Sequence, residues 1–208
     1  MNSDKTTGSR RIRARLVLRL VTRAALAAPL LLAIGCSGSL YKVKPASELT
    51  RLPDNAATAN VGPVSFRAAP LLTDEESQEL FESNLHLAGL LPVRVEIVHN
   101  SSAPIELKKV HFHLHDSSGT DWKPISFKKA IARILKANGI FLYNPDSRKT
   151  FEKEFRAYEL DLKAPLAAAE RRRGFVIFLS PKKQPVASPH GLVLTIDGLS
   201  PPATLNLN

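Results

Sequence analysis

Between Pro92 and Gly119 the chain reads PVRVEIVHNSSAPIELKKVHFHLHDSSG, and its apolar residues fall largely on every second position. Val93, Val95 and Ile97 alternate with Arg94 and Glu96; the turn formers Asn100 to Pro104 interrupt, and a second run covers Ile105 to His115. Successive side chains of a strand point to opposite faces, so the pattern predicts two half-buried antiparallel strands joined by a short loop. Asn100-Ser101-Ser102 also matches a glycosylation sequon, but its position reads as turn chemistry. Similar signals recur: VSFRA opens the folded part near Val61, GFVIFL (Gly174 to Leu179) is apolar enough for burial on both faces, and GLVLTID and ATLNL follow. Six or seven short strands result.

Three stretches change period. In LLTDEESQELFESNL, Thr73 and Glu76 fit a capping box, Leu72 a hydrophobic staple, and Leu80, Phe81 and Leu85 one helical face. SFKKAIARILKANG sets Phe127, Ile131, Ile134 and Leu135 on one face, with Ser126 as N-cap and Gly139 as C-cap. PDSRKTFEKEFRAYEL places Phe151, Phe155, Tyr158 and Leu162 at helical spacing. Because strands and helices do not alternate regularly, the expected fold class is mainly β: an immunoglobulin-like antiparallel β-sandwich over 61–208, with two or three inserted helices, those at about 126–160 included. Cys36 is the sole cysteine, so an inter-sheet disulfide is impossible.

The front of the chain obeys a different logic. Residues 1–23 hold seven Lys or Arg against the single acid Asp4, and an apolar run from Ala24 to Ile34 follows. That run is about 16 Å long as a helix, too short for a hydrocarbon core of about 30 Å, and reads as an export signal. It ends in AIGC, Ala33 to Cys36, which resembles the lipobox of bacterial lipoproteins. The resemblance implies cleavage of residues 1–35, diacylglycerol on Cys36 as the covalent lipid, and a tether over 36–60. Since Ser37 is not Asp, it also implies an outer-membrane address facing the periplasm if the host has two membranes. GLLPVRVEIVHNSS followed by GFVIF resembles uncharacterised envelope lipoproteins with an immunoglobulin-like domain. Removing the signal's net +6 from the formal +10 leaves +4. No nucleic-acid motif accompanies these charges, so nucleic acid is not an expected partner. The basic cluster Arg171, Arg172 and Arg173 is either a patch for anionic lipid or cell-wall polymer, or a solvated turn.

Catalytic signatures are missing from the sequence: it has no G-x-S-x-G, no H-E-x-x-H and no phosphate-binding glycine loop, and a lipidated Cys36 is no nucleophile. A non-catalytic protein is expected, one that binds another envelope protein or a cell-wall component at the membrane. The alternative chemistry lies in His111, His113 and His115, which share one strand face. Neighbours in such a row stand about 6.6 Å apart and can converge on one ion, whereas His111 and His115, about 13 Å apart, cannot. His111 and His113 would then hold zinc, nickel or copper(II), with His86, His99, His190 or an acid as third ligand; Met1 is the only methionine, which disfavours copper(I). Lys109 shares the face and marks it as wet. A face of three imidazoles titrating near pH 6 is the remaining option.

Overall fold

The computed structural model describes residues 43–141, 145–187 and 189–208, so the signal segment and Cys36 lie outside the described residues. Alternation makes the strands. In β2 (Val64–Pro70) Val64, Phe66 and Ala68 point into the core, and β1 (Ala57–Val61) precedes it through a tight turn with Gly62 at φ 55°. The capping box then forms: Thr73 Oγ1 accepts from the Glu76 amide at 3.2 Å, and Glu76 accepts from the Thr73 and Leu72 amides at 3.1 and 2.8 Å. It starts α1 (Asp74–Phe81), whose acidic first turn suits the helix dipole. Thr73→Ala should lower stability by about 1 kcal/mol, read from urea midpoints, because it leaves the Glu76 amide without its partner.

The remaining elements are β3 (Leu90–His99), β4 (His111–His115), β5 (Asp121–Ile125), α2 (Phe127–Ala137), α3 (Pro145–Arg156), β6 (Arg171–Leu179), β7 (Val193–Asp197) and β8 (Ala203–Asn206). The fold is mainly β: among the described residues eight strands, all ladder pairs antiparallel, run in the order β1-β2-β3-β6-β5-β4-β7-β8. The end strands β1 and β8 approach each other, so the sheet is nearly closed and barrel-like. β5 serves two masters: Asp121 and Trp122 pair with β4, then Lys123 to Ile125 pair with β6. Between β4 and β6 the sheet therefore splits into a seam. The expected strand from Ile105 forms only in its second half, because Ile105 makes one isolated bridge to Leu166 and the Val110 amide turns back onto the Leu107 carbonyl.

Two cores result. The inner one packs Phe66, Val93, Val95, Ile97, Phe112, Leu114, Phe178, Leu194 and Ile196 from all round the sheet. The outer one lies where the helices cover β3 and β6, and unites Phe81, Leu85, Ile131, Ile134, Phe151, Phe155, Tyr158, Phe175 and Ile177. Phe81 sits at its centre, with ring centroids 5.0 Å from both Phe155 and Tyr158 and 5.6 Å from Phe175. Burying one such ring contributes about 1.5–3 kcal/mol.

Several expectations need correction. β3 is not half-buried: Arg94 and Glu96 on its second face are buried as well, Glu96 among the arginines of β2 and β6 and Arg94 beside Arg51. Packing starts well before residue 61, since Val43 and Leu52 are buried and β1 lies within the expected tether. Leu72 does not staple α1 but packs against the inner core, as does Leu162, because α3 ends at Arg156 and the chain then joins β6 as an extended segment. Gly174 permits that approach: a Cβ there would stand 2.5 Å from Leu160 Cα. Asn138 rather than Gly139 caps α2, and Gly139 takes the left-handed position beyond it at φ 61°.

Candidate functional site

Parity on β4 holds. Phe112 and Leu114 point into the inner core, while His111 and His113 are exposed and His115 is half-buried. The neighbouring strand supplies an acid that periodicity alone did not single out: Asp197 lies opposite His111 in register, and its Oδ2 is 3.3 Å from His113 Nε2. Both side chains are about half exposed, at 60% and 47%. Among the described residues there is no group of three or more His, Cys, Asp or Glu arranged to hold a metal. The other proposed third ligands lie elsewhere in the fold. His86 is buried, its Nε2 donating to the Leu71 carbonyl at 2.9 Å and its Nδ1 3.1 Å from Asp74. Nδ1 of buried His99 donates to the Ala167 carbonyl at 2.8 Å, and His190 is an exposed loop residue. Asp116 leaves the strand to organise the next turn. It accepts from Ser118 and from the Thr120 amide and the Trp122 indole, and the Ser118 hydroxyl above all holds its carboxyl below the usual range.

The three arginines are not one patch, nor a solvated turn, because they begin β6 and therefore alternate. Arg172 is inward and structural: its guanidinium donates to Glu170 at 2.7 Å and to the carbonyls of Asp161, Ala164 and Pro165 at 2.9, 2.7 and 2.8 Å, closing that loop. Arg171 and Arg173 turn to the opposite face, where the register sets Arg173 against Glu96 of β3 and Glu96 against Arg67 of β2.

A charge cluster follows from that register. Glu96 is 3% exposed; Arg173 Nε donates to its Oε2 at 2.6 Å, Arg171 lies 4.0 Å from the same oxygen, and Arg67 lies 3.9 Å from Oε1. Arg94, two residues before Glu96 on the same face, completes the group. It is 7% exposed; among the described residues its one hydrogen bond is a long 3.5 Å contact from Nη1 to the Arg51 carbonyl, and its buried Nε and Nη2 have no partner. Burial, and next the charge of Arg173, push the Arg94 guanidinium down from its ordinary value, with Glu96 opposing. Beside it opens a cavity of about 310 Å³, lined also by Lys44, Glu48, Arg51, Leu71 and Leu80. Tyr158 borders this region, its hydroxyl donating to the Lys44 carbonyl at 2.5 Å, and burial followed by Glu48 raises its phenol to about 12.

Chemically, the cluster gathers more guanidinium than its single carboxylate neutralises, which suits it to anions rather than to proton transfer. The sequence held one clue to it: Arg94 and Glu96 share a face of an otherwise apolar strand. Which strands flank β3 was not legible, and so neither were the partners. A second cavity, about 290 Å³, fills the seam between β4 and β6 and is lined by His111, His113, Leu160 and Phe175.

Comparison with known proteins adds little. No family model and no curated protein matches the chain. Among solved structures the chain is similar to the yjhA protein from Bacillus subtilis, at 10% identity and a TM-score of 0.32, over 66% of this chain and 75% of that one.

Proposed function

We propose that this chain is a lipid-anchored protein of the cell envelope, held at the outer membrane facing the periplasm, whose β domain is a non-catalytic module for binding another envelope protein or a cell-wall component. The observation that carries the reading is the position of Cys36: the sole cysteine closes a basic-then-apolar segment in AIGC. Two or three acyl chains at one residue hold a protein firmly, where one gives reversible binding. For the fold, we propose immunoglobulin-like connectivity, with β2, β3 and β6 on one side, β8, β7 and β4 on the other and β5 switching between them; the strand order supports this reading.

The test is Cys36→Ser in the native host. The wild-type chain should incorporate labelled fatty acid and pellet with membranes, and the variant should lose the label entirely and most of the pelleting. Unchanged labelling and pelleting would remove the anchor and with it the envelope assignment.

A further inference from the structure

The outer face of β2, β3 and β6 carries a charge cluster that is not balanced within itself. Four guanidiniums, those of Arg67, Arg94, Arg171 and Arg173, surround the single carboxylate of Glu96, and their Cα atoms lie within about 8 Å of its own by strand spacing. Three of these positive charges have no carboxylate of their own within the group. Glu48, Glu76 and Glu79 also line the cavity; Glu76 is held by the Leu72 and Thr73 amides and Glu79 by Lys44 at 3.0 Å, while Glu48 is an exposed carboxylate at the cavity's edge. Arg94 is the anomaly. A buried donor left without a partner is costly, and here two donors of one side chain are so left, Nε and Nη2, the pair that forms one edge of the guanidinium fork. That edge matches two oxygens of an oxyanion, and Lys cannot reproduce it.

We propose that this arginine cluster is an oxyanion site for a phosphate group, with Arg94 as its anchor and Arg67, Arg171 and Arg173 as its rim. The rim arginines are partly exposed, at 29%, 50% and 32%, so solvent reaches the rim, whereas Nε and Nη2 of Arg94 lie beneath it and a ligand meets them only as the rim side chains move aside. Phosphate fits better than a carboxylate because Glu96 already fills the one carboxylate position, and a dianion offsets more of the remaining charge. The cavity beside Arg94 has room for the group that bears the phosphate.

Inorganic phosphate titrated calorimetrically into the full chain in non-ionic detergent, at constant ionic strength set with chloride, tests the site. Saturable one-to-one binding below about 1 mM is expected, weakened about tenfold or more in Arg94→Gln. Arg94→Lys keeps the charge without the fork and guards against misfolding of the first variant; it should bind at least about fivefold more weakly. A response that never saturates, or equal affinity in Arg94→Lys, overturns the proposal. A second arm separates two sources of the phosphate. Sedimentation with phosphatidylglycerol but not phosphatidylcholine vesicles, diminished in Arg94→Gln, assigns a lipid head group. Vesicle binding indifferent to Arg94, alongside intact phosphate binding, assigns a soluble phosphate ester. The vesicle arm uses the Cys36→Ser chain, so that no acyl chain can carry it onto phosphatidylcholine, and a failed anchor and a failed anion site give different results.

Discussion

Glu96→Ala should cost about 3–5 kcal/mol of folding stability, read from urea midpoints at neutral pH. The carboxylate is buried, and it offsets cations on the two flanking strands, Arg67 on β2 and Arg171 and Arg173 on β6. Removing it leaves those guanidiniums facing one another, with Arg94, the most buried of them, losing its one opposing charge. Arg171→Ala is the informative comparison, since that side chain is half exposed and its contact is 4.0 Å; a loss within about 1 kcal/mol is expected there. Should Glu96→Ala cost less than about 1 kcal/mol, the cluster would be screened by solvent and the picture of a buried charge centre would be wrong.

Gly198→Ala should be as damaging for a different reason, with an expected loss of about 3 kcal/mol or more. Gly198 follows β7 at φ 89°, and a Cβ there would stand 1.8 Å from the Lys109 carbonyl oxygen and 2.4 Å from its carbon. Both are backbone atoms beside the start of β4, so no side-chain rotation relieves the clash; the strands must move. Gly119→Ala isolates the backbone component, because Gly119 has φ 73° but open space around it, and about 1 kcal/mol is expected. Equal melting shifts for the two variants would mean that the close approach to Lys109 is not maintained in solution.

Legibility followed the range of the interactions. The capping box at Thr73, the inward set Phe112 and Leu114, and the helical faces carrying Phe151 and Phe155 depend on neighbours a few residues away, and all of these appear in the structure. β1 and β5 were not foreseen, because ATANV is mostly small and polar and DWKPI contains a proline. The burial of Arg94 and Glu96 was misread for a related reason. Alternation states that two faces differ, not that the polar one is wet, and only the side chains and segments that lie over β3 from elsewhere in the chain decide that. The charge cluster lies further still from the sequence, since Glu96 and Arg173 are 77 residues apart and meet through strand register alone.

β5 has a bearing on how the molecule comes apart. Its two halves belong to different neighbours, and the half that reaches β6 contains Pro124, which has no amide to donate. β4, β7 and β8 are thus stitched to the β1, β2, β3 and β6 side by a short, under-bonded strand, whereas within each side the ladders run for four to nine residue pairs. Thermal fluctuation concentrates where a structure is held most thinly, so local opening should begin at β5, while the inner core shared by both sides holds them together. The arginine face belongs wholly to one side of β5, and the histidine face to the other.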